Sequence, residues 1–329
     1  MKKRYIILTA CILLLVLCLA SCQNGKGEET DTAAEYCTVS FFTDGGSEIA
    51  DIRVIKGNKI NAPDDPQKDG RIFNGWLYKG EEWLFSRDTV TENITLTASW
   101  IDVDSLYVLD GDTGTGFTVT GVKKEYENMV VPSKARGGNI VAIGNGAFEG
   151  VSETVKSITV AETVTSVGDD AFKDVKVEIT VKGALTHIGE NAFYGCTGLK
   201  KISFGEGLTT VSPAAFFGCS SLTELVFPST LESIDENAFE DCTSVKAIIM
   251  HKQTKTVCDG AFFNISALET VYYYGAQQDV DSITVAVMNE DFKDVIESNV
   301  YFYSADKPSV KGKYWHFSDN GKIRVWEDK

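Results

Sequence analysis

Ile188-Gly189-Glu190-Asn191-Ala192-Phe193-Tyr194-Gly195-Cys196-Thr197-Gly198-Leu199-Lys200-Lys201-Ile202-Ser203-Phe204 is the stretch that decides the fold, because the chain repeats it. It returns as Ile234-Asp235-Glu236-Asn237-Ala238-Phe239-Glu240-Asp241-Cys242, followed by Val245-Lys246-Ala247-Ile248-Ile249-Met250. Six Ala-Phe pairs, ending at Phe148, Phe172, Phe193, Phe216, Phe239 and Phe262, lie 24, 21, 23, 23 and 23 residues apart between Gly144 and Gly275. A period in the low twenties marks a solenoid, in which each turn buries its apolar face only against its neighbours. The alternation at Ile202 and Phe204 predicts a short strand with those two inward and Lys201 and Ser203 outward. The Ala-Phe ring is expected to fill the far side of each turn, where one ring per rung stacks on the next.

These motifs, from about Asp104 to Tyr274, resemble the BspA-like leucine-rich repeat family, also called the Treponema pallidum type. The resemblance implies a curved solenoid with parallel strands on its concave side, and an association with adhesion. The periodicity alone would also allow another β-solenoid. The second rung, Val177-Glu178-Ile179-Thr180-Val181, comes two residues early, so its convex loop is expected to be tight or irregular. The fold class expected is mainly β, a leucine-rich-repeat solenoid (102–275) preceded by a small β-grasp-like domain.

That small domain spans 37–101. Its strand-like runs are Thr38–Thr43, Ile49–Ile55, Ile72–Tyr78 and Ile94–Trp100, with a hairpin signal at Asp44-Gly45-Gly46. Trp76, Phe73 and Trp100 are its expected core. The segment resembles the Listeria–Bacteroides repeat of internalin B-type proteins, and the resemblance implies the β-grasp-like module, most simply a spacer.

Upstream, a basic start at Lys2, Lys3 and Arg4 precedes an apolar run to Leu19, too short to span a membrane comfortably; residues 1–21 read as a signal peptide. Leu19-Ala20-Ser21-Cys22 resembles the bacterial lipobox, which implies cleavage before Cys22 and a diacylglycerol on its sulfur. Two acyl chains anchor a protein stably. Residues 22–36 are polar, acidic and aperiodic, as in a disordered tether. Downstream, 276–329 loses the period. It is expected to form an aromatic hairpin cap around Asp319-Asn320-Gly321, with Tyr314, Trp315, Phe317 and Trp326 over the last rung. Asp110, Asp112 and Gly114 read as a polar turn in the first rung, since the further ligands of a calcium loop are missing.

Removing Lys2, Lys3 and Arg4 with the leader takes 31 basic side chains to 28 against 47 acidic ones, a formal net of −19. Nucleic acid is not an expected partner, because phosphate binding needs a basic surface. Of eight cysteines, Cys11 and Cys18 leave with the leader and Cys22 carries lipid. Cys196, Cys219 and Cys242 share one repeat position and read as small buried hydrophobes in a column. No zinc spacing, nucleophile elbow, Walker loop or dinucleotide fingerprint occurs, and His187, His251 and His316 stand apart from any nucleophile. No catalytic residue, metal site or cofactor is expected, and the chain is not read as an enzyme.

In register, the outward strand positions form two columns. One is Ser157, Glu178, Lys201, Glu224, Ala247 and Thr270; the other is Thr159, Thr180, Ser203, Val226, Ile249 and Tyr272. Val226, Ala247, Ile249 and Tyr272 would form an exposed apolar patch, unless the C-terminal segment folds over it, and such patches mark interaction sites. The reading is a bacterial envelope lipoprotein, extracytoplasmic and held to the membrane by its N-terminal lipid. Its partner would be a protein ligand of a host or a neighbouring cell. A carbohydrate-binding accessory lipoprotein and a structural envelope protein are the alternatives.

Overall fold

The computed structural model describes residues 34–326. The expected signal peptide, Cys22 and most of the expected tether lie outside the described residues. The solenoid consists of two facing ladders of parallel strands with the phenylalanine column between them. One ladder carries longer strands: Asn128–Val131, Ser157–Val160 and Glu178–Val181, then Glu224–Val226, Ala247–His251 and Thr270–Tyr274. The other is built of two-residue strands such as Ser166–Val167, Ser233–Ile234 and Thr256–Val257. The register expected from the repeat holds in each part: Ser157 opposes Glu178, Thr159 opposes Thr180, Val226 opposes Ile249 and Ile249 opposes Tyr272.

The six phenylalanines line up in one fully buried column. Successive ring centroids are 4.8, 5.2, 5.2, 5.1 and 5.6 Å apart, with interplanar angles of 15° or less. A backbone ladder runs beside the rings: Phe172 N–H donates to Ala192, Phe193 to Ala215, Phe216 to Ala238 and Phe239 to Ala261, each at 2.8 Å. The turn residues follow from backbone geometry. Two residues before Phe the chain is left-handed, at Asp170, Asn191, Ala214, Asn237 and Gly260, and it is so again two residues after, at Asp174, Gly195, Gly218, Asp241 and Asn264. Only Gly, Asn and Asp visit that region routinely, which is why each rung is rich in them; Ala214 alone carries the steric cost.

The early rung has its effect in the strand ladder. The missing residues fall between Phe172 and Glu178, and the ladder breaks at Leu199–Phe204, where only isolated bridges remain, Ile179 to Leu199 and Leu185 to Phe204. Ile179 thus meets Leu199 instead of Ile202, and Glu178 pairs with Lys200 at 2.9 Å instead of Lys201. Ile202 and Phe204 are half-buried against the core. The Phe column passes the break intact, because the missing residues fall outside the Ala-Phe turn, whose backbone bonds from Phe172 N–H to Ala192 and from Phe193 N–H to Ala215 are unbroken.

Both ends of the column are covered. At the first, the hairpin Tyr107–Asp112/Gly116–Val122 places the buried Tyr107 ring 6.1 Å from Phe148, with its hydroxyl donating to Val130 O. Asp112 Oδ1 accepts from Gly114 and Thr115 N–H, so this loop is the turn expected.

The other end corrects the expectation of a hairpin cap from 276 onward. Thr284–Val285 and Val300–Tyr303 extend both ladders in parallel, and the helix Glu290–Ser298 stands where an Ala-Phe turn would be. Its Phe292 stacks on Phe262 at 4.6 Å as a seventh ring. Asn289, fully buried, takes the place of the next rung's backbone: its Oδ1 accepts Phe262 N–H at 2.8 Å, and its amide donates to Cys258, Ala286 and Val287 carbonyls. Tyr314–Phe317 adds one more parallel strand, and only Ile323–Val325 turns back as a hairpin.

The small domain is a mixed sheet in the order Ile52–Ile55, Tyr36–Phe42, Ile94–Asp102, Arg71–Tyr78, Glu81–Glu82, with the second and third strands parallel. The Asp44-Gly45-Gly46 turn forms, closed by Gly46 N–H to Thr43 O, but the return strand begins only at Ile52. Its core is Val39, Trp76, Trp83, Val90 and Leu96. Phe73 and Trp100 are only partly buried at its margin, because Ile72, one position over, faces the other way into the solenoid core. The joint is tied further by the Arg71–Asp102 ion pair and by Gly137 N–H to Asp69 Oδ2.

Candidate binding surface

The ladder of longer strands changes character along its length. Its first rungs present Asn128, Ser157, Thr159, Glu178 and Thr180, with Ser157 Oγ donating to Asn128 Oδ1. From Val226 onward it is apolar and aromatic. The structure separates the four patch residues. Val226 is 45% exposed, Ala247 and Tyr272 are half-buried, and Ile249 is 3% exposed. The expected exposure of Ile249 is therefore corrected. Ile249 lies in register between Val226 and the large Tyr272, which flank it on both sides.

What the patch loses at Ile249 it gains from the extra rungs. Tyr272 packs on Tyr301 at 5.9 Å and edge-on to Trp315 at 5.4 Å. The fully buried Trp315 also meets Tyr274, Tyr303 and Phe317, at 4.9, 5.1 and 5.2 Å. His251 stacks flat on Tyr274 at 4.4 Å. Burial lowers the His251 pKa against the pull of Glu206, so the ring stays neutral at neutral pH. Tyr303 and Phe317, 38% and 44% exposed, are the outward rim of this cluster. The sequence reading placed Trp315 and Phe317 in a cap over the last rung and did not count Tyr274 or Tyr303. The signal for them is Val300-Tyr301-Phe302-Tyr303, which repeats Val271-Tyr272-Tyr273-Tyr274 at a spacing that the inserted helix lengthens to 29.

A second concavity, of about 670 Å³, lies at the joint, where Asp65, Lys68 and Arg71 of the small domain face Lys134, Glu162 and Lys182 of the solenoid. Lys68 and Arg71 are held by Asp44 and Asp102. Among the described residues no group of His, Cys, Asp and Glu is arranged to hold a metal ion.

The repeat cysteines sit away from both surfaces. Cys196, Cys219 and Cys242 are fully buried free thiols whose S–H groups donate to the carbonyls of Phe172, Phe193 and Phe216 on the preceding rungs. Burial raises all three pKa values, to about 12 for Cys196. The thiolate is the nucleophile, so these thiols are protected twice, by access and by protonation. In the native protein, iodoacetamide at pH 8 is expected to modify Cys258 first and to leave the three repeat thiols unlabelled until denaturant is added. Mass mapping that found Cys219 labelled as fast as Cys258 would mean that the rungs open.

Two family models match. Six copies of the BspA type leucine rich repeat region cover residues 125–181 and 176–284, and the Listeria-Bacteroides repeat domain covers 37–99. A protein of Evansella cellulosilytica named as a membrane protein is 29% identical over 167 residues, 49% of this chain and 25% of the relative. A second from that organism, named as a Gly-rich membrane protein, is 33% identical over 99 residues, 29% of this chain and 11% of the relative. The chain thus aligns with a quarter or less of the length of these relatives. Among solved structures, a leucine rich cell surface protein from Faecalibacterium prausnitzii is similar at 19% identity and TM-score 0.42, over 68% of this chain and 60% of that one. The T. pallidum leucine rich repeat protein is similar at 20% identity and TM-score 0.37, over 60% and 84%.

Proposed function

Residues 125–284 are a BspA-type leucine-rich repeat region and residues 37–99 a Listeria-Bacteroides repeat domain, and from that premise we propose a lipid-anchored, extracytoplasmic recognition protein of the bacterial envelope. It binds a protein partner, catalyses nothing, and serves adhesion to a host or neighbouring cell. The observation that carries this reading is the aromatic cluster of Tyr272, Tyr274, Tyr303 and Phe317 around Trp315, with the exposed Val226 two rungs away in the same column as Tyr272, on a sheet whose other half is polar. Rigid aromatic side chains supply large contact area at small entropic cost, and they dominate the energetic centres of protein interfaces. The address rests on the lipobox-like Leu19–Cys22, and the names of the Evansella relatives agree with it.

Val226→Asp with Tyr303→Asp tests the surface. Tyr303 also packs on Trp315 at 5.1 Å, so a modest fall in melting temperature is expected, while capture on immobilised host matrix proteins is lost at temperatures where the variant stays folded. Ile249→Asp is unsuitable, because it would bury an unpaired charge. Unchanged capture by a stably folded double variant would move the site elsewhere. The aromatic rim also suits the face of a sugar ring, so a glycan array run on the same pair of proteins decides between the two ligand classes. Cys22→Ala is expected to release the protein from the membrane fraction into the medium; retention of the variant in the membrane would refute the lipid anchor.

A further inference from the structure

The six-stranded sheet that begins at Glu224–Val226 ends at Ile323–Val325, and that last strand has an open side. Its inner side is paired to Tyr314–Phe317: Ser318 N–H donates to Lys322 O, Trp326 N–H donates to Tyr314 O, and His316 opposes Arg324. Antiparallel pairs alternate between hydrogen-bonded and non-hydrogen-bonded positions. The N–H and C=O groups of Ile323 and Val325 therefore point outward, without a partner among the described residues. The side chains sort by the same alternation. Ile323 and Val325 share the face of the aromatic strip with their register partners Phe317 and Trp315, while the exposed Lys322 and Arg324 lie on the opposite face.

An open edge is a template for another strand, and charges along it select what can pair. A second copy of this strand fits poorly. Antiparallel pairing of Ile323 with Val325 of another copy sets Arg324 against Arg324, and pairing Ile323 with itself sets Arg324 against Lys322. Like charges directly opposite destabilise a sheet pair. We propose that this edge takes up an extended segment of a partner protein in which apolar residues alternate with acidic ones. The apolar side chains continue the aromatic strip beside Ile323 and Val325, and the acidic ones meet Lys322 and Arg324. Main-chain bonds supply affinity and the alternating side chains supply selectivity, as in strand addition generally. The contact adjoins the Val226–Phe317 strip, but its main-chain bonds are made by Ile323 and Val325 and are tested apart from it.

The probe is a labelled peptide, acetyl-Val-Glu-Val-Glu-Val-Glu-amide, titrated against the mature chain by fluorescence anisotropy, with its Val-Lys counterpart as control. The glutamate peptide should bind, weakening with salt, and the lysine peptide should bind about tenfold less well or not at all. Val325→Pro removes an outward N–H that makes no internal bond, a position where an edge strand tolerates proline, and it should abolish binding with the melt unchanged. Arg324→Glu, which leaves the backbone alone and Lys322 in place, should weaken the glutamate peptide and erase its preference over the lysine one. Equal binding of both peptides by the unsubstituted chain overturns the proposal, as does binding undiminished by Val325→Pro and Arg324→Glu. So does a concentration-dependent dimer lost in Val325→Pro with no peptide bound, which would assign the edge to self-association. Loss of peptide binding in Val226→Asp but not in Val325→Pro would assign the peptide to the Val226–Phe317 strip instead.

Discussion

Phe216→Ala is expected to destabilise the solenoid by about 4 kcal/mol, the cost typical of deleting a buried phenylalanine that its surroundings cannot refill. The ring is fully buried, stacked on Phe193 at 5.2 Å and Phe239 at 5.1 Å, and met edge-on by Phe204 at 5.8 Å. The walls cannot close on the gap, since Phe193 N–H to Ala215 and Phe216 N–H to Ala238 hold the rungs at their spacing. In a stack where each unit touches only its neighbours, a central deletion weakens two interfaces at once. Denaturant unfolding should show a lower midpoint, and the two halves of the solenoid should begin to separate as transitions. Phe217→Ala, one residue along and half-buried beside Tyr194, is the control and should cost about 1 kcal/mol. Equal losses in the two variants would mean that the inner column is not the source of stability.

Asn289→Leu is expected to cost about 3 kcal/mol although it keeps the branched outline of the side chain and removes a polar group from a fully buried site. The substitution strands Phe262 N–H and removes the only side-chain donor to the Cys258, Ala286 and Val287 carbonyls among the described residues. Buried backbone groups without partners carry their full desolvation cost. The loss should be local: amide exchange at Phe262 and in Glu290–Ser298 should accelerate, while amides near Phe172 and Phe193 keep their protection. Retained protection at Phe262 would show that another group caps the ladder.

The legible part of this chain was whatever its period carried. The Phe column needed only the spacing of Ala-Phe, because stacking asks for one ring per turn and little else. The outward columns were legible where rungs keep equal length, and not at Lys201, where two missing residues slid the pairing to Lys200. The rung made by Thr284–Val285, Phe292 and Val300–Tyr303 was hidden, since a nine-residue helix and Asn289 replace the Ala-Phe turn and stretch the spacing. The binding strip was therefore half visible. Val226 was placed correctly as an exposed side chain, Ile249 was not, and the partnership of Tyr274 and Tyr303 with Trp315 lay beyond the visible repeat.

The sequence by itself determined the repeat and the buried aromatic row, since these follow from spacing, and the parallel stacking came with the family resemblance. Tertiary structure alone decided how the row is closed, which outward residues remain open to a partner, and that the last strand leaves an edge unpaired. Those depend on what comes to lie beside a residue from far along the chain: Asn289 beside Phe262, Trp315 among the tyrosines, and no strand beside Val325 among the described residues.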